Sequence, residues 1–140
     1  MTAPIHQNSD LFVLDTSFIV NFTRKNLGAE ILTSLNNIFV TVITLGELEV
    51  GINSLENKTR ETEKVKVGKF LNSVDGIFTI DDLVVNNYGK IKADLSRRGE
   101  LIGDNDTWIA AITKANSATL ITDNPKHFRK VIGLKLLPQK

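Results

Sequence analysis

Leu11-Phe-Val-Leu14, followed at once by Asp15-Thr-Ser17, is the stretch on which the fold turns. Four apolar residues in a row do not alternate with polar ones, so the segment suits a strand covered on both faces, as in a parallel sheet. An acid directly after such a strand must be desolvated or paired. Similar short, β-branched runs recur at residues 38–43, 76–80 and 118–121, with a weaker one at 134–137. Helical spacing fills the intervals: Val84, Tyr88, Ile91 and Leu95 share a face that stops at Gly99, and Trp108, Ile109, Ile112 and Ala115 share another. The polar residues 53–63 read as a turn between two helices. Strand and helix in alternation predict an α/β domain with right-handed crossovers.

Composition narrows the chemistry. The 140 residues fit a single domain, 1–140, whose first ten residues are expected to form a flexible extension. No apolar run approaches the roughly 20 residues of a membrane-spanning helix. The opening residues are polar and carry no Lys or Arg, unlike a signal peptide, so a cytoplasmic protein is expected. There is no cysteine, which excludes disulfides, thiolate zinc sites and a cysteine nucleophile. Two histidines, His6 and His127, are too few for a multi-histidine metal site. Any metal must then be a hard cation on oxygen ligands. The formal net charge of +1 hides an asymmetry: residues 107–140 hold six basic residues and one acid, and the rest of the chain holds 11 basic and 15 acidic residues. A basic end suits a polyanion and an acidic cluster suits a cation.

In an open parallel sheet, ligands collect at the carboxyl ends of the strands. Asp15 follows the first apolar run, Thr44 and Glu47 follow the second, Asp81 and Asp82 the third, and Thr122 and Asp123 the fourth; Asp104 and Asp106 open the helix of Trp108. If the first, second and fourth strand ends lie together, several carboxylates share one cleft, and a divalent cation relieves their repulsion. Local alternatives stand beside this. Thr44-Leu-Gly-Glu47 fits a capping box, and Asn124-Pro125 fits an N-cap followed by Pro. Asp106 suits a helix dipole, Asp104 and Asn105 are plausible caps, and Asp81-Asp82 suits a helix start. His127 fits a structural or solvated role, and Tyr88 and Trp108 fit core packing.

The segments Val13-Leu-Asp15-Thr-Ser17, Ile43-Thr-Leu-Gly-Glu47-Leu-Glu-Val-Gly51, Gly99-Glu-Leu-Ile-Gly-Asp-Asn-Asp106-Thr-Trp-Ile-Ala-Ala111 and Leu120-Ile-Thr-Asp-Asn124-Pro-Lys-His-Phe128 occur in this order. Together they resemble the PIN-domain ribonucleases, and within them the VapC toxins of toxin–antitoxin pairs, from Leu11 to about Leu137. The resemblance implies a three-layer α/β/α fold with a mostly parallel sheet of about five strands. It implies a Mg²⁺- or Mn²⁺-dependent endoribonuclease that leaves 5′-phosphate and 3′-hydroxyl ends. Asp15, Glu47 and Asp106 match the family's catalytic, metal-binding acids. Ser17 and Thr44 match polar positions that orient those acids or their waters, and Asp104 and Thr122 fall in the same supporting zone. The fourth acidic position is Asn124 here, with Asp123 beside it. An asparagine oxygen is a neutral ligand, so the departure removes a charge but not a donor. Lys126, Arg129 and Lys130 are candidate contacts to the RNA. An antitoxin, expected against Phe18, Ile19, Phe22 and Leu48, and a homodimer are further implications, with no membrane partner.

Other α/β classes fit worse. A phospho-accepting receiver needs paired acids at the first strand, and an aspartyl-phosphate phosphatase needs an acid where Ser17 stands. No Gly-x-x-x-x-Gly-Lys run is present. The runner-up is a non-catalytic PIN-fold RNA-binding or protein-interaction module, motivated by the missing fourth acid.

Overall fold

The computed structural model describes residues 10–137; the expected flexible residues 1–9, His6 among them, lie outside the described residues. In chain order the elements are β1 (Phe12–Leu14), α1 (Thr16–Lys25), α2 (Ala29–Ser34), β2 (Ile38–Thr41), α3 (Val42–Asn53), α4 (Asn57–Ser73), β3 (Gly76–Phe78), α5 (Asp82–Arg97), α6 (Asp104–Ala115), β4 (Thr119–Ile121), α7 (Pro125–Phe128) and β5 (Lys135–Leu136). The five strands form one sheet in the order β3-β2-β1-β4-β5, every pair parallel. Val13 registers with Phe39 on one side and with Leu120 on the other.

Why the central strands are mostly apolar is visible in the two cores. Val13 and Leu120 face a cluster with Ile91 and Leu95 of α5 and Ile109 and Ile112 of α6. Phe12, Leu14, Val40 and Ile121 face the opposite cluster, with Phe18 and Ile19 of α1, Leu48 of α3 and Val67 and Phe70 of α4. Adjacent strand residues point to opposite faces, and here each face is covered by helices, so polar side chains in the central strands are confined to Thr41 and Thr119 at strand ends. Full burial of each such side chain contributes about 1.5–3 kcal/mol. The result is the expected three-layer sandwich, with a sheet that is wholly rather than mostly parallel.

The structure corrects the sequence reading at several points. The second apolar run is part strand and part helix: β2 ends at Thr41, whose Oγ1 accepts the Thr44 N–H at 3.1 Å and caps α3. Thr44 is therefore inside the helix, and the Thr44–Glu47 capping box does not form. Residues 53–63 are mostly helical, because α4 begins at Asn57 with a solvated first face. Phe18, Ile19 and Leu48 are 1%, 0% and 5% exposed and sit in the core, so they offer no surface to a partner. Phe22 is half-buried against Phe70, ring centroids 5.4 Å apart.

Other expectations hold. Asp81 Oδ1 accepts the Val84 N–H at 3.0 Å and starts α5, and Gly99 takes φ +68° just past its end. Tyr88 and Trp108 stack with centroids 3.8 Å apart and pack on the core. No helix among the described residues is long and apolar enough to cross a membrane.

Candidate active site

From β1 the chain builds outward through β2 to β3; β4 and β5 lie on the other side. The order of strands reverses between β1 and β4, and the crevice outside their carboxyl ends is where such sheets bind ligands. Asp15, Ser17 and Thr122 all emerge there. Asp15 is 5% exposed, and its N–H still completes the sheet ladder, donating to the Ile121 carbonyl at 2.8 Å. Ser17 Oγ and Thr122 Oγ1 both donate to Asp15 Oδ2, at 2.9 and 2.7 Å. Although Asp15 occupies the N-cap position of α1, its side chain makes no capping bond. Two hydroxyls fix one oxygen of a buried carboxylate, and Oδ1 has no hydrogen bond among the described residues.

Glu47 lies in the second turn of α3. Its Oε1 accepts a short bond from Thr16 Oγ1, 2.6 Å, and its Oε2 a weak one from Asn105 Nδ2, 3.4 Å. Thr44 is fully buried; its Oγ1 lies 3.0 Å from Thr16 Oγ1, so it supports Glu47 through Thr16. Asp106, in the first turn of α6, receives His127 Nδ1 at 3.3 Å on its Oδ2.

Burial pushes the Asp106 carboxyl above the usual aspartate range, the Asp15 charge pushes it further, and Glu47 adds to both; the His127 hydrogen bond pulls the other way. The acids that follow β1 and sit on α3 and α6 are therefore close enough for the charges of Asp15 and Glu47 to act on Asp106. None of the three is paired with a lysine or arginine among the described residues.

The remaining expected residues divide. Asp104 turns away to Lys92 and Tyr88, and the Lys92 ammonium holds its carboxyl below the usual range. It neither supports the site nor caps α6, whose N-cap is Gly103. Asp123 Oδ2 accepts from Asn21 Nδ2 at 2.6 Å, and its N–H donates to Ser17 Oγ at 3.3 Å. Asn124 stands at the N-cap of α7 but makes no side-chain cap; instead its own N–H is taken by Thr122 Oγ1 at 3.0 Å. Of the two candidates for the fourth position, Asp123 is tied to α1 and Asn124 is exposed. His127, read as structural or solvated, instead touches Asp106. Lys126 on α7 and Arg129 just past its end are exposed and Lys130 is half-buried, whereas Lys114 and Lys135 bond the Ile132 and Ser117 carbonyls. The contacts of Thr16, Asn105 and His127 had no local signal in the sequence, because they depend on which strands are neighbours.

Among the described residues, no three His, Asp or Glu side chains close on one point tightly enough to ligate an ion together. Mg²⁺ does not need that, since it commonly takes one or two carboxylates and fills its octahedron with water. Asp15 Oδ1 and Asp106 Oδ1, both outside the hydrogen bonds above, are hard donors of the required kind. Their mutual repulsion is what such a cation would relieve, so the residues fit the ion.

The PIN domain family model matches residues 12–134. The chain is 30% identical over 131 residues to Ribonuclease VapC2 of Rickettsia felis, covering 90% of this chain and 96% of that protein. It is 27% identical over 128 residues to the tRNA(fMet)-specific endonuclease VapC of Shigella flexneri, covering 89% and 94%. Among solved structures, VapBC2 from Rickettsia felis, bound to a DNA fragment from their promoter, superposes with a TM-score of 0.83 at 29% identity, covering 93% of this chain and 99% of that one. By the breadth of these matches and the acids gathered at its switch point, this chain belongs to the PIN-domain family, among the VapC ribonucleases.

Proposed function

We propose that this chain is a Mg²⁺- or Mn²⁺-dependent endoribonuclease and the toxin of a toxin–antitoxin pair that works in the cytoplasm. The observation that carries the reading is an acidic trio met by no lysine or arginine among the described residues, with Asp15 fixed by two hydroxyls, Glu47 by Thr16 and Asp106 by His127. Asp15 and Asp106 would hold the ion through their open Oδ1 atoms, with Glu47 completing the anionic cradle. When bound, the ion supplies a water acidic enough to attack near neutral pH and neutralises charge on the phosphoryl group.

The chain's own side chains do the orienting. Ser17 and Thr122 lock the Asp15 carboxylate in one rotamer. Thr16 does the same for Glu47, and His127 braces Asp106. Glu47, anchored mainly on Oε1, has an oxygen able to accept a proton from the attacking water. Exposed Lys126 and Arg129 add attraction for the phosphate backbone. The name of the Shigella relative makes a tRNA loop the first RNA to try, since looped bases are easily splayed into a cleft. The VapBC structures to which the chain is similar support an antitoxin partner, and a homodimer is part of the same proposal.

A second reading, a PIN-fold module that binds RNA or protein without cutting, is favoured by one observation: at the fourth acidic position Asn124 is neutral and exposed, and the neighbouring Asp123 carboxylate is engaged by Asn21. Incubation of the purified chain with tRNA separates the two. The nuclease reading expects fragments in Mg²⁺ or Mn²⁺, none in EDTA, and none from Asp15→Asn that remains folded by circular dichroism. Wild-type cleavage rates in Asp15→Asn, or cleavage indifferent to EDTA, contradict it.

A further inference from the structure

Glu63 is an acid on α4 that the site does not use. It is 8% exposed, and a carboxylate buried to that degree is costly unless something holds it. Two groups from the end of α1 do so. Thr23 Oγ1 donates to Glu63 Oε1 at 3.3 Å, and Arg24 Nε lies 3.7 Å from the same oxygen. The contact is an ion pair without a hydrogen bond, made at Nε. The two Nη groups have no partner among the described residues, and the Arg24 side chain is 44% exposed.

Its position gives this arrangement a meaning. A small cavity of about 30 Å³ is walled by Arg24 and Thr23 of α1, Glu47 and Gly51 of α3 and Glu63 of α4. A Cβ built at Gly51 would meet nothing within 4 Å, so that wall is open. Arg24 thus shares a cavity with Glu47, and α1 ties the two together, because Thr16 at its first turn bonds Glu47 and Arg24 lies two turns on. A cleft lined by Asp15, Glu47 and Asp106 repels a polyanion, and a polyanionic substrate needs cations at the cleft's rim. On the α1–α3 side, Arg24 is the cation whose forked end is unengaged. A guanidinium fork fits phosphate oxygens bidentately.

We propose that Arg24, braced by Glu63 and Thr23, anchors an RNA phosphate beside the acidic cleft, next to Glu47. It positions the strand and reads no base. The inference rests on the nuclease reading for its substrate, so its test uses binding rather than cleavage.

Fluorescence anisotropy of a labelled single-stranded RNA is measured against the Asp106→Asn chain, over a range of salt concentrations, with and without further changes. Arg24→Ala should weaken binding about tenfold. It should also reduce the slope of log affinity against log salt by about 0.7, the value for one phosphate contact on a single strand. Arg24→Lys should keep the slope and lose part of the affinity. The double variant Arg24→Gln/Glu63→Gln leaves no buried unpaired charge, so it keeps the test valid if Arg24→Ala folds poorly; it should lose affinity and slope to the same extent. If the double variant binds RNA with the parent affinity and slope, Arg24 merely neutralises Glu63 and the inference is overturned while the nuclease reading stands. If the Asp106→Asn parent binds no RNA and the wild type cuts none, both are overturned.

Discussion

Asp106 carries the tension of the site. Its carboxyl is raised by burial and by Asp15 and Glu47, so without metal the folded chain keeps this proton at a pH where the unfolded chain has released it. A raised acid contributes stability at low pH that is lost as pH climbs from the ordinary aspartate value through the raised one. In EDTA, Asp106→Asn should therefore melt higher than wild type at pH 7, with the gain shrinking as pH falls through the raised value and gone once it is below the ordinary aspartate value. Melting temperatures across that range check it, and a pH-independent difference contradicts it. Such a gain from removing a functional charge is the usual stability–activity exchange. At the fourth position, Asn124→Asp should keep or tighten Mn²⁺ affinity by calorimetry; a strong loss would place that side chain away from the ion. Asp15 and Asp106 were readable as site candidates because one follows a strand and the other opens a helix, whereas Glu47, in the second turn of α3 and equally suited to a cap, was singled out by the family resemblance. The partners were not readable: His127 is 21 residues from Asp106 and Thr122 is 107 from Asp15, and only the strand order brings them together.

Helix ends show where local chemistry decides. The apolar run from Ile38 does not reveal where β2 stops, since buried strands and buried helices look alike over a few residues. Thr41 settles it with a hydroxyl that takes the Thr44 N–H. Thr41→Ala should cost about 1 kcal/mol in urea unfolding, whereas Glu47→Gln, whose carboxylate caps nothing, should abolish RNA cleavage with little change in stability. A Glu47→Gln chain that melts early but still cuts would restore the capping account. The early turns of α4 were unreadable for the opposite reason, a solvated face with few apolar markers.

Glycines give a matched contrast between elements. Gly28 sits at φ +88°, and a Cβ there would lie 2.6 Å from the buried Phe18 ring, so Gly28→Ala should destabilise by more than about 1 kcal/mol. Gly89, exposed within α5 with nothing within 4 Å of an added Cβ, should instead stabilise as Ala by about 0.5–1 kcal/mol. Equal effects at the two positions would contradict the backbone assignment.

At the scale of the whole molecule, a short parallel sheet buried on both faces turns apolar runs into a platform and delivers the residues after them to one edge. That much was legible, because burial keeps charged residues out of the three central strands and leaves the acids conspicuous after them. The order β3-β2-β1-β4-β5 was not, yet it makes the site by setting β1 beside β4. The charge asymmetry along the sequence is also reworked in three dimensions, with Lys114 and Lys135 tied to carbonyls and Arg24 set beside Glu63.

The central claim is that the acids at these strand ends hold a divalent cation, and thermal unfolding with added Mn²⁺ tests it most directly, because an ion bound only by the folded chain must raise its melting temperature. The account predicts a rise that grows with Mn²⁺ concentration in the wild type and is absent in Asp15→Asn. A wild type whose melting temperature ignores Mn²⁺, or an Asp15→Asn chain that responds equally, would contradict it.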